Sequence, residues 1–169
     1  MACTQTFNGI ARNCTPSIGG VKEVYIANYD EVTLEIEGED PVPVIASVTG
    51  TFKKYEMRRE SGALTSTISL DPKTHTRYVT SEVTLVFAHM DEEKRAEVEK
   101  IINGDVAVIV RDANGKCWYL GAYNPVNVSG GTAQTGTAAG DANNYTLTLQ
   151  DVSPYLPQDV TPFVANLVK

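Results

Sequence analysis

Apolar and polar residues alternate along much of this chain with a period of two, the spacing of half-buried β-strands. At residues 32–37, Val32, Leu34 and Ile36 fall on one side and Thr33, Glu35 and Glu37 on the other. A β-branched and aromatic run at 21–27 (VKEVYIA) predicts a strand before it, and Gly38-Glu39-Asp40-Pro41 predicts a turn after it. Another strand is expected within 44–55, broken or bulged near Gly50. Residues 63–70 and 77–87 are two long runs of Thr, Ser and β-branched residues around the turn segment 71–76. Leu64, Ile68 and Leu70 in the first run, and Val79, Val83, Leu85 and Phe87 in the second, form an apolar face. Thr65, Thr67, Ser69, Thr80, Glu82 and Thr84 form the opposite, polar one. The pattern predicts a long antiparallel hairpin with one face buried.

The period changes to that of a helix once, over 91–103. Asp91 suits an N-cap, Glu92 and Glu93 lie in the first turn, Val98, Ile101 and Ile102 form a stripe, and Gly104 stops the run. Residues 106–110 (VAVIV) are continuously apolar, as in a central strand, and Asn114-Gly115 signals a hairpin into 117–120. From 124 to 143 the chain is rich in Gly, Thr and Ala and predicts a mobile loop. A last strand is expected at 145–149. Together these predict a mainly β (α+β) fold: an antiparallel β-sandwich or barrel with one long hairpin and one packed helix. The domain would span 21–153, between an N-terminal arm (1–20) and a C-terminal arm (154–169). Phe163, Val164 and Leu167 give that last arm more apolar character than a free tail needs.

The length, 169 residues, suits one domain with its own core. No apolar run approaches the length of a membrane span, and the first residues lack the basic-then-apolar pattern of a secretory leader. The net charge of −7 argues against ordinary nucleic-acid binding, which requires cations to neutralise phosphates. Three cysteines, Cys3, Cys14 and Cys117, do not describe a disulfide framework, and structural thiols are expected. No close ligand pair suggests zinc.

No catalytic motif is found among those with a known mechanism. The Asp91-Glu92-Glu93 carboxylates are explained by a helix start. Glu37, Glu39 and Asp40 could hold a cation but read better as a solvated turn. Asp112-Ala113-Asn114-Gly115 resembles the opening of a calcium loop without its terminal glutamate. His75 and His89 have no nucleophile nearby in sequence. The expectation is a protein that is not an enzyme and needs no cofactor.

The long hairpin, the Gly-rich segment and two loose ends are more than a monomer needs, and free strand edges call for partners. The order of strands, hairpin, helix and closing strands resembles that of bacteriophage tail tube proteins. So do 108–121 (VIVRDANGKCWYLG), Thr135-Gly136-Thr137 and 141–149 (DANNYTLTL). Residues 19–27 are similar to segments of small structural proteins of phages infecting Bacteroidetes. A long N-terminal arm with two cysteines departs from the better-known tube proteins. The resemblance implies hexameric rings that stack into a hollow virion tail, assembled in the host cytoplasm. Its partners would be other copies of itself, with tape measure, terminator and baseplate or sheath proteins, and DNA as non-specific cargo. Thr65, Thr67, Ser69, Thr80, Glu82 and Thr84 would then line the lumen or a subunit seam. The Gly130, Gly131, Gly136 and Gly140 segment would bridge rings. The alternatives are another virion part, such as a terminator, connector, ring or decoration protein, and a monomeric surface- or sugar-binding β-sandwich.

Overall fold

The continuous apolar run is a strand buried on both faces. In the computed structural model, which describes residues 6–38 and 42–168, β7 (Val106–Asp112) is the middle of a five-stranded antiparallel sheet. Its neighbours are β1 (Val21–Asn28) and β8 (Cys117–Leu120), with β4 (Lys53–Glu56) and the short β11 (Gln158–Asp159) at the edges. Val106, Val108 and Val110 point into one core, and Ala107 and Ile109 into a second on the other side. A register shift between Val21 and Glu23 puts Val21, Val24 and Ile26 into the first core, leaving Tyr25 and Ala27 for the second.

The first core is closed by a four-stranded antiparallel sheet in the order β5-β6-β10-β9: β5 (Ala63–Asp71), β6 (Thr76–Ala88), β10 (Asn144–Ser153) and β9 (Asn127–Gln134). Val83, Leu85, Leu147 and Leu149 face inward from it. Helix α1 (Glu92–Asn103) packs Val98 and Ile101 into the same core. Asp91 caps it, its carboxylate accepting from the Lys94 backbone N–H at 2.7 Å. Gly104 ends the helix in extended backbone, where a Cβ would lie 3.0 Å from the Lys100 carbonyl. The expected fold class is observed: mainly β, antiparallel, a sandwich with one packed helix and one long hairpin.

The second core lies under the β2 (Thr33–Glu37) and β3 (Val44–Thr49) hairpin and under the C-terminal segment. That segment is not an arm. Val160, Val164 and Leu167 are buried, and β11 pairs with β8. The Val160 N–H donates to the Cys117 carbonyl (2.8 Å), and the Cys117 N–H to Thr161 Oγ1 (2.9 Å). The apolar residues noted in the tail are what dock it. Residues 6–20, by contrast, are an exposed arm without regular structure, anchored where Asn114 exchanges two 2.9 Å hydrogen bonds with the Ile18 backbone. Cys14 is exposed and Cys117 buried; Cys3, Glu39, Asp40 and Pro41 lie outside the described residues.

Two local expectations need correction. Residues 127–134 are strand β9, not loop: β10 offers them an open edge, and the Thr/Gly/Ala segment has nothing larger to exclude it. Gly131 is required there, since a Cβ would come 2.7 Å from the Thr146 carbonyl. The hairpin expected at Asn114-Gly115 is present, with Gly115 left-handed (φ +88°) and its N–H donating to the Asp112 carbonyl. Finally, Ile36, Ile68 and Leu70 lie on apolar-patterned strands but are exposed at 38%, 57% and 68%, because these strands extend past the cores.

One charged cluster borders the second core. Glu23 is almost buried and accepts from Tyr25 Oη (2.6 Å) and Arg111 Nη1 (3.1 Å), with Lys54 Nζ at 3.0 Å. Burial alone would raise its pKa; the hydrogen bonds and neighbouring cations overcome this and bring it down to about 2. A depressed acid stabilises the fold above its ordinary pKa, and that stability is lost as pH falls through the folded value. Unfolding of wild type and Glu23→Gln between pH 5 and pH 2 (on the order of the window set by those two pKa values) tests this. Wild type should lose about 2 kcal/mol over that range relative to the variant. Parallel pH profiles would show that the cluster contributes nothing.

Candidate self-assembly surface

The outer face of the four-stranded sheet gathers all six polar hairpin positions singled out in the sequence. Across β5 and β6, Thr65 opposes Glu82, Thr67 opposes Thr80, Ser69 opposes Tyr78, and Ala63 opposes Thr84. The face continues on β10 and β9, where Thr84 opposes Thr148, Glu82 opposes Gln150, and Thr132 opposes Thr146. Thr132, Thr146, Thr148 and Gln150 belong to the surface and were not singled out in the sequence. The alternation of Thr146-Leu147-Thr148-Leu149 carried the signal. The result is a face rich in hydroxyls, with Val86 and Val152 among them, and along β6 and β10 its inner neighbours Val79, Val83, Leu85, Leu147 and Leu149 are core residues. Among the described residues, Glu82 is the charged side chain within this field, accepting from Gln150 Nε2 at 3.3 Å, and Asp71 lies at its end. No lysine or arginine occupies these outward positions.

Both edges of the sheet are open. No strand among the described residues pairs with the outer side of β5 or of β9. Of the predicted ring-bridging glycines, Gly130 and Gly131 lie in the β9 edge, and Gly136 and Gly140 lie in the loop that follows. That loop is tied by Asp141, whose carboxylate accepts from the Thr137 (2.8 Å) and Ala138 (2.7 Å) N–H groups, which lower its pKa. Gly136 adopts φ +72°, and a Cβ there would come 2.5 Å from Asp141.

The β5–β6 hairpin runs past the core and is braced on one side. Arg77 stacks over the Tyr155 ring at 5.8 Å, and Tyr155 packs on Tyr123 with centroids 5.3 Å apart. The calcium-like turn is also committed to the fold: Asp112 accepts from the Asn114 and Lys116 N–H groups (both 2.9 Å) and from Trp118 Nε1 (3.2 Å). No cluster of three metal-ligating side chains occurs among the described residues, and no helix there is long and apolar enough to cross a membrane. His75 and His89 are turn residues in left-handed backbone (φ +54° and +66°).

The inner face of the hairpin sheet carries a polar row that the sequence pattern did not suggest. Ser66 and Ser81 hydroxyls meet at 2.8 Å, and Ser81 opposes Asp151 in register. Asp151 is 4% exposed; its Oδ2 accepts from the Gly121 N–H at 3.2 Å, while Oδ1 is buried without a partner. Burial pushes this carboxyl above its ordinary range, against the smaller opposing effect of the Gly121 N–H. A raised acid is the opposite case to Glu23: its contribution is present at low pH and lost as pH rises through the folded pKa. Asp151→Asn should therefore raise stability at pH 7 by about 1 kcal/mol and flatten the profile. Equal destabilisation at acid and neutral pH would show that the carboxylate is well solvated.

No family model, curated protein or solved structure matches this chain. The features of the molecule that bear on function are the two open edges and the hydroxyl-rich face between them.

Proposed function

We propose that the chain is a structural subunit that closes rings by pairing β9 of one copy with β5 of the next. We further propose that the rings stack into a tail-tube-like conduit of a phage virion. The observation that carries this reading is the four-stranded sheet with both edges free. Its strands alternate in direction, so β5 and β9 run oppositely. A copy generated by rotation about an axis inclined to the strands, as in a closed barrel, keeps its strand directions and is staggered along them, so that its β5 meets β9 antiparallel. The two edges have nine and eight residues, nearly matched in length. A ring built this way leaves neither edge of the four-stranded sheet open, which answers the aggregation hazard of its long free strands.

In such a ring the hydroxyl face turns inward. This face carries the Glu82 carboxylate and no lysine or arginine to neutralise phosphates, so DNA would pass with little adhesion. The overall charge of −7 suits the same role, and it also opposes association at low ionic strength. A sugar-binding module is less well supported, since the Tyr123–Tyr155 pair is capped by the chain's own Arg77.

Negative-stain electron microscopy across a concentration series, with mass from light scattering, tests the proposal. Stacked rings or tubes, favoured by added salt, are expected. Single rings that never stack would move the assignment to a terminator or connector. A monomer at every concentration and salt would overturn it.

A further inference from the structure

We infer that the exposed apolar side chains of the hairpin, Ile68 and Leu70, seat in the groove between α1 and β9 of a second copy of this chain. The inference rests on the edge pairing proposed above and identifies what fills the seam behind it. A strand added to β9 continues the pleat, so its inward positions fall on the same side as Val128, Gly131 and Ala133. On that side lies a groove of about 420 Å³, walled by Val98 and Ile102 of α1 and floored by Leu147. It is open because β9 presents little side chain there: Gly131 has none and Ala133 a methyl group. Ile102, on the helical wall, is 47% exposed although it belongs to the apolar stripe of α1.

The chain also carries the matching part. The inward positions of β5 are Leu64, Ser66, Ile68 and Leu70, opposite Val83, Ser81, Val79 and Arg77. Leu64 packs on its own core, whereas Ile68 and Leu70 extend beyond it and are 57% and 68% exposed. They cannot fill the groove of their own subunit, because β5 and β9 are opposite edges of one sheet. The hairpin of a neighbour delivers them from the correct face and in the antiparallel direction, and a stagger of six residues, of the kind strand tilt imposes on a closed barrel, sets Ile68 level with Gly131 and Leu70 level with Val128. Large branched side chains thus meet a strand of small ones, as packed cores require.

Two measurements test this. The first is assembly of Ile68→Ser/Leu70→Ser. Both side chains are exposed, so the monomer should melt as wild type does, while the concentration needed for assembly should rise at least tenfold. Val42→Ser, at an exposed position in the connection between β2 and β3, should leave it unchanged. The second is cross-linking in a Cys3→Ser/Cys14→Ser background. Chains carrying Ile68→Cys are mixed with chains carrying Ile102→Cys and treated with a short bis-maleimide, with Val42→Cys in place of Ile102→Cys as control. Adducts in the first mixture alone support the inference. Assembly without adducts, and unaffected by the double serine variant, overturns the groove while leaving edge pairing intact. Failure of the wild-type chain to assemble removes the pairing itself and the groove with it.

Discussion

Proline at one of two adjacent positions in β9 should abolish assembly and leave the subunit folded. In an antiparallel strand, consecutive N–H groups point to opposite sides. Of Thr132 and Ala133, one therefore donates toward β10 and the other toward the open edge. Both side chains are exposed, so neither substitution empties a core. Thr132→Pro and Ala133→Pro consequently divide into two outcomes. The inward proline breaks the ladder with β10 and lowers the melting temperature. The outward proline spares the monomer and removes a donor from the seam, with its ring obstructing the incoming strand. The lost hydrogen bond is worth about 1 kcal/mol, roughly fivefold in the affinity of a seam, and the obstruction by the ring adds to it. Every subunit of a ring uses this edge once, so the effect recurs at each seam. Circular dichroism melting beside light scattering separates the two classes. Normal assembly by the variant that melts like wild type would show that β9 is not the seam.

That experiment depends on a strand that sequence pattern did not disclose, and the reason is physical. β9 has no apolar period, since its eight residues are Asn, Val, Ser, two Gly, Thr, Ala and Gln. Its conformation is imposed by the open edge of β10 and by the closeness that Gly131 allows. The hairpin, the central strand and the helix were legible because each carries a local, redundant signal. In β6, Val79, Val83 and Leu85 alternate with Thr80, Glu82 and Thr84; β7 is apolar throughout; Asp91 caps a helix with an apolar stripe. The six polar hairpin positions could be assigned to one face for the same reason. Pattern could not reveal where the opposing sheet ends, so Ile68 and Leu70 read as core. Nor could it distinguish a docked C-terminal segment from an arm, because docking depends on a second core built from residues 25 to 167.

Phe52→Ala tests that second core and should be the most destabilising single substitution considered. Phe52 is fully buried and meets Tyr119 edge-on, centroids 6.5 Å apart at 77°. Its backbone N–H donates to the Leu167 carbonyl at 2.9 Å, and it forms a bridge with Val168. The ring therefore supports the five-stranded sheet on one side and the C-terminal segment on the other. Removing it costs about 3–5 kcal/mol, the lost transfer energy plus the cavity left among rigid neighbours. Against a typical total of about 5–15 kcal/mol, that is a large share of the stability. The cost should appear as a lower denaturant midpoint and as earlier proteolysis within residues 160–168, where Val160, Val164 and Leu167 lose a packing partner. The four-stranded sheet packs on the other core, so at low temperature the folded variant should still assemble. Phe52→Ala and the outward proline are thus opposites, one lowering stability with the seam intact and the other the reverse. A loss below about 1 kcal/mol for Phe52→Ala would mean that the ring does not hold the second core together, and loss of assembly from a fully folded protein would mean that this core is not separate from the seam.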